Sequence, residues 1–209
     1  MKTTQPLRRI KFNAVAFALA SLTAMPAFAQ ASQSAIAAMQ EPGPEMRSLA
    51  GRTGTWDATI RMRPSPDAQP IVFADLVAER QMIGAFLQEI ISPRKPAPGA
   101  DFKRIAYLHY NRVEGRWQYV SMDTRFPAGI MPAWSSQPSS ADRITLEFEP
   151  IAFPGWGTAV DGWMLRSNYE VSGIGTDHET ARQFWVRANG TGQRWLAVEY
   201  DYQRKAAGN

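Results

Sequence analysis

The sequence predicts an all-β chain: an antiparallel, up-and-down β-barrel of about ten strands behind a short N-terminal helix. Three observations carry this. Short segments with apolar residues at every second position follow one another from Thr55 to Arg204, the period of a strand with one buried face. Tight-turn sequences separate them, among them Val113-Glu114-Gly115 and Asn189-Gly190-Thr191-Gly192. Helical periodicity is missing beyond Gly51. A long meander of this kind closes most simply into a barrel, which leaves no exposed sheet edge.

Ahead of the strands, the first 29 residues read as a cleavable export signal. Lys2, Arg8, Arg9 and Lys11 form a basic start without acids, an apolar run follows from Phe12 to about Ala24, and Ala27-Phe28-Ala29 precedes Gln30. Those zones in that order match what secretion and signal peptidase require. The apolar run is too short and too interrupted to be a membrane span. The sequence thus predicts cleavage between Ala29 and Gln30, a flexible leader over 30–44, one barrel domain over 45–204 and a tail over 205–209, in a periplasmic or secreted protein. Leu7 and Lys11 depart from a twin-arginine pattern, so the general secretory route is expected.

Removing the signal also removes the charge imbalance. Four of the 23 Lys and Arg residues and none of the 19 Asp and Glu residues precede Gln30, so the remainder balances. This argues against a nucleic-acid partner or an anionic-surface binder. The chain has no cysteine, which excludes disulfides, thiol nucleophiles, thiolate metal sites and a lipid-anchor cysteine. No membrane anchor is expected.

The elements follow in order. Glu45–Leu49 fits one or two helical turns after Pro42-Gly43-Pro44, with Gly51 as stop. Thr55–Met62 sets Trp56, Ala58, Ile60 and Met62 on one face. Ile71–Met82 and Phe86–Ile91 are joined at Gly84. Arg104–Asn111 and Arg116–Asp123 form a hairpin. Ile130–Trp134 is weak, whereas Arg143–Glu149 alternates cleanly. Val160–Val171, Ala181–Ala188 and Arg194–Arg204 complete the set.

A resemblance enters at Leu49–Trp56, where a short helical turn leads into Gly54-Thr55-Trp56 at the head of the first strand. This is similar to the start of lipocalin-type barrels. The resemblance implies that Trp56 plugs the closed end while an arginine from the last strand, here Arg204, lies across its ring. The wider pattern resembles a bacterial family known as domain of unknown function 1579, with calycin-like members. It rests on Gly54-Thr55-Trp56, Glu79–Leu87, Tyr107–Tyr110 and Trp117–Thr124, and spans roughly Met46 to Arg204. It implies architecture and no reaction.

Candidate chemistry is sparse. His109 shares a strand face with Ile105 and Tyr107, so it either points into a cavity as ligand or base or sits hydrogen-bonded at a rim. His178 reads as a solvated turn residue. Two separate histidines make no zinc site, and no metal or cofactor is expected; a haem-ligating histidine has no supporting motif. Asp123 ends a strand, as a ligand anchor, a general base or an Asx turn. Arg80 and Glu89 form a buried pair if both face inward and solvated charges if not. Motifs for nucleophilic catalysis or phosphate binding are absent, so no catalytic residue is assigned. Aromatic residues at alternate positions are expected to line the barrel, with Tyr119, Trp163 and Tyr200 among them and Arg80, His109 and Asp123 as polar contacts. Ile151–Gly157 is apolar where a loop should be polar, as a lid, a partner surface or core packing.

The function this predicts is an exported barrel that binds a small lipophilic or aromatic molecule. An enzyme using the same cavity, with Asp123, His109 or Tyr119 as acid or base, and an envelope interaction protein with a filled barrel stand as alternatives. Oligomeric state is not legible.

Overall fold

In the computed structural model, the described residues are 41, 43–98, 101–136 and 142–206; all but Glu41 belong to one unit, Pro42–Asn209. The expected signal segment and most of the leader lie outside the described residues, as does part of the tail. Helix α1 (Pro44–Ala50) opens with proline in its first turn, where a missing N–H costs nothing, and buries Met46 and Leu49. Gly51 ends it in an ordinary right-handed conformation, so its role does not need the left-handed freedom of glycine.

Ten strands follow: β1 (Gly54–Met62), β2 (Ile71–Ile83), β3 (Phe86–Pro93), β4 (Arg104–Asn111), β5 (Arg116–Asp123), β6 (Met131–Trp134), β7 (Arg143–Ala152), β8 (Met164–Ser172), β9 (His178–Arg187) and β10 (Trp195–Arg204). Each pairs antiparallel with its sequence neighbour, and β1 pairs with β10 to close the barrel. The expected fold class is what the chain adopts.

Three boundaries differ from the sequence reading by three residues or more. Strand β8 begins at Met164, not Val160, because residues 160–163 turn back: the Gly162 N–H donates to the Phe153 carbonyl and the Trp163 N–H to that of Val160. Strand β9 begins at His178, which is therefore a strand residue and not part of the turn. Its ring Nε2 lies 3.0 Å from Asp201 Oδ1 across the sheet. Gly173 permits this hairpin, since a Cβ there would lie 2.5 Å from the His178 carbonyl oxygen. Strand β7 runs on to Ala152, taking in the start of the apolar segment expected to be a loop.

The inward residues of β1 are Trp56, Ala58 and Ile60, all buried. Gly54 has φ +112°, a conformation that strains any residue with a Cβ, and it delivers the chain from the helix into the first strand. Trp56 then lies under two guanidiniums, Arg204 at 4.2 Å and Arg80 at 4.5 Å from the ring centroid, and its indole N–H donates to the Arg52 carbonyl at 3.1 Å. Arg204 fastens the same corner, donating to the carbonyls of Thr53 at 2.6 Å and Gly51 at 2.5 Å. This end of the barrel is therefore closed by the helix, the tryptophan and the last strand together.

Trp56 is fully buried and its truncation leaves both a cavity and two unpaired cation contacts. Trp56→Ala is expected to lower unfolding free energy by about 3–5 kcal/mol, measured by urea denaturation. A loss under about 1 kcal/mol would show that the closed end does not depend on it.

Candidate functional site

Among the described residues, five charged side chains are buried: Arg52, Arg80, Glu89, Arg104 and Glu179. They form one chain. Arg52, just after α1, grips Glu179 of β9 with two donors, Nε to Oε1 and Nη2 to Oε2, each at 2.9 Å. Arg80 of β2 donates from Nη1 to Glu179 Oε2 at 2.6 Å and from Nε to Glu89 Oε2 at 2.8 Å. Arg104 of β4 donates from Nη1 to Glu89 Oε1 at 3.2 Å and from Nη2 to the Tyr119 hydroxyl at 2.5 Å. Strand parity places them inward: Arg80 pairs with Glu89 across β2 and β3, and Arg104 shares its face with buried Ala106 and Leu108. The ambiguity over Arg80 and Glu89 is thereby resolved as a buried pair.

Electrostatics follows the geometry. Burial alone would raise the Glu89 carboxyl, but Arg80, then Arg104 and Arg52, outweigh it and hold the group below its ordinary value of 4.5. Four tyrosines, Tyr119, Tyr169, Tyr200 and Tyr202, crowd around Arg104. Burial raises all four hydroxyls despite the opposing pull of Arg104, Tyr200 to about 12. They are neutral hydrogen-bonding groups at ordinary pH.

Arg104 also marks the floor of a cavity of about 240 Å³ at the other end of the barrel, opposite Trp56. Its walls are mostly apolar, including Ile60, Met62, Phe73, Phe148 and Trp185, with Ser121, Asp123, Arg125, Gln183 and Tyr200 as polar members. A separate void of about 30 Å³ lies between Arg52, Glu89 and Tyr119, room for about two waters. Asp123 does two things at once. Its Oδ1 accepts from the Arg125 backbone N–H at 2.9 Å, the expected Asx turn, while both its oxygens engage the Arg125 guanidinium at 3.0 and 2.7 Å.

The apolar segment divides between two roles. Phe153 is buried and meets Trp185 at 4.4 Å between ring centroids. Trp156 is 48 % exposed, stands in the cavity wall, and adopts φ +47° between two glycines.

Of the residues singled out from sequence, Asp123 and Tyr200 line the cavity. Arg80 and Tyr119 lie below it in the charged chain. His109 does not join them: β4 parity turns it outward near the closed end, where its ring stacks on Phe86 and Nδ1 lies 3.0 Å from the Ala85 carbonyl oxygen. Trp163 is also elsewhere, in the turn before β8, with the Arg187 guanidinium 3.4 Å over its ring. Glu179, Arg52, Arg104 and Arg125 were missed. Glu179 was hidden by starting β9 at Ala181; with the strand extended to His178, it falls on the parity of Ala181, Gln183 and Trp185. Arg104 had a visible signal, the apolar parity of Ala106 and Leu108. Among the described residues there is no group of three or more His, Cys, Asp or Glu side chains placed to hold a metal.

No protein-family model and no curated protein sequence matches the chain. Among solved structures, the barrel is similar to the crystal structure of Rv2717c from M. tuberculosis, with a TM-score of 0.52 at 16 % identity over 79 % of this chain and all of that one. At that identity the likeness extends to the fold alone: a closed antiparallel barrel related to others at low sequence similarity.

The depressed Glu89 pKa fixes a pH dependence. Between its folded and unfolded values the unfolded chain binds the extra proton, so stability rises with pH there. The contribution of Glu89 is whole above 4.5 and is lost as pH falls through the lower folded value. Glu89→Gln, which leaves Arg104 without a carboxylate and Arg80 with Glu179 alone, should cost about 3–5 kcal/mol at pH 7 and flatten the decline below pH 4.5. Denaturant titrations at stepped pH measure both; parallel pH profiles for the two proteins would contradict the assignment.

Proposed function

We propose that this chain is an exported binding protein that takes up one small, largely apolar molecule at the open end of its barrel. The observation that carries the reading is the cavity of about 240 Å³ with apolar walls and a few grouped polar side chains. Such a composition suits ligand capture: flat and branched side chains supply contact area, and a few polar atoms set orientation. Tyr200 and Asp123, with Arg104, Arg125, Ser121 and Gln183, are the proposed orienting groups. Tyr119 would act from beneath by holding Arg104, and Arg80 by holding Glu89, the carboxylate that Arg104 also contacts. Trp56 and Arg204 would keep the far end shut.

The resemblance to the domain of unknown function 1579 family fits this reading, since Gly54, Trp56, Arg80 and Tyr119 lie in the segments that carry it. An enzyme is favoured less. Asp123 has both oxygens on Arg125, Tyr119 is raised by burial, and His109 faces away from the cavity. Each would make a poor base there. The filled-barrel alternative conflicts with the cavity itself.

Export rests on the N-terminal zones. No helix among the described residues is long and apolar enough to cross a membrane. Mass spectrometry of periplasmic material should return a mature N-terminus at Gln30; protein confined to the cytoplasm with Met1 intact would overturn the localisation.

Binding is testable with the fluorophore N-phenyl-1-naphthylamine. Its emission should rise on titration with the protein and saturate at one site. Met62→Trp, which enlarges a wall residue into the cavity, should weaken the probe about tenfold or more while circular dichroism stays unchanged. No saturable binding, or binding indifferent to Met62→Trp, would sink the reading.

A further inference from the structure

The barrel interior holds an unbalanced positive charge, and we infer that the ligand is an organic monoanion, an apolar body ending in a carboxylate that meets Arg104. The inference rests on the cavity being a binding site and names the class of molecule it takes.

The argument starts from a charge count. The buried ionisable groups among the described residues are three arginines, Arg52, Arg80 and Arg104, and two glutamates, Glu89 and Glu179. The carboxylates are shared along the chain, so one positive charge has no buried partner. The excess is placed by the connections. Arg52 holds Glu179 with two donors, and Arg80 lies between both glutamates. Arg104 is the terminal cation. It has a single contact of 3.2 Å to Glu89, already engaged by Arg80, and a neutral phenol as its other partner.

Among the described residues, nothing else nearby supplies a negative charge. The four tyrosines around Arg104 are held in their neutral form by burial. Asp123 is the only acid in the cavity wall, and it is matched by Arg125. A buried charge without a counter-ion is costly, and here the charge stands where the cavity opens.

Hydrogen bonding gives the same sign independently. A guanidinium has five N–H donors, and the bonds to Glu89 and Tyr119 use two of those on Arg104. Arg104 thus has donors to spare. A ligand that brings acceptors and a negative charge completes it; an amine does not.

Displacement of N-phenyl-1-naphthylamine by octanoate, octan-1-ol and octylammonium at pH 7.5 separates charge from apolar contact. Octanoate should bind at least about tenfold more tightly than octan-1-ol, the scale of a charge-assisted hydrogen bond, with octylammonium weakest. Arg104→Gln should bring octanoate down to the level of octan-1-ol, and Arg104→Lys should keep most of the preference. If Arg104→Gln does not fold, the three-ligand series on the unaltered protein and Arg104→Lys decide. Equal binding of acid and alcohol, a preference for the amine, or no displacement of a bound probe would overturn the monoanion and leave the cavity reading standing. Failure of the probe itself to bind would remove both.

Discussion

The chain of buried charges is the constraint around which this barrel is arranged. It ties the end of α1, through Arg52, to β9, then to β2, β3, β4 and β5 in turn. Its first two links join elements far apart in the chain: Arg52 and Glu179 are 127 positions apart, and Arg80 and Glu179 are 99 apart. Such a network is a poor source of net stability, because desolvating five charges costs about what their attraction returns. What it does supply is intolerance of error. A slip of one residue in any of these strands would turn a charge outward and leave its partner buried alone.

The same chain separates the two ends of the molecule. Toward the closed end the interior is filled but for the void of about 30 Å³: Arg80 lies between the rings of Trp56 and Tyr202, 4.5 and 4.4 Å from their centroids, and the helix and Arg204 close the end. Beyond Arg104 the packing changes character. The side chains become apolar, the aromatic rings of Phe126, Phe153, Trp156 and Trp185 contact one another around the rim, and space opens between them. A barrel's interior widens with strand number, and here the space not taken by side chains forms the cavity of about 240 Å³.

How much of this the sequence disclosed follows from what each signal depends on. Strand alternation is local, so the ten strands, the turn at Gly84 and the hairpin before Arg116 could be read directly. The closed end was legible because Gly54-Thr55-Trp56 and Arg204 are a recognisable pair of motifs at the two ends of the domain. Charged residues on an apolar face carry no such mark. Arg80 and Glu89 stood out only as a question of parity, and Glu179 fell outside its strand when the strand was begun three residues late. Asp123 and Tyr200 were legible as cavity residues through strand ends and aromatic alternation. His109 misled because its face, with Ile105 and Tyr107, is apolar enough to look inward; the truly inward face of β4 carries the arginine.

That inversion on β4 has a physical origin. Arg104 is tolerated inside because Glu89 and Tyr119 accept from it and the Tyr200 ring lies 4.9 Å below its guanidinium. Outside, Ile105, Tyr107 and His109 are half-buried by neighbours on the barrel surface, with the Tyr107 hydroxyl accepting from Gln88. The arginine lowers the apolar character of its face, which Ala106 and Leu108 still mark as inward. Its two acceptors sit 15 positions away on the flanking strands, and they leave Arg104 incompletely neutralised at the cavity floor. The buried arginine is thus what gives the cavity its chemical character: a packed polar floor beneath an apolar chamber.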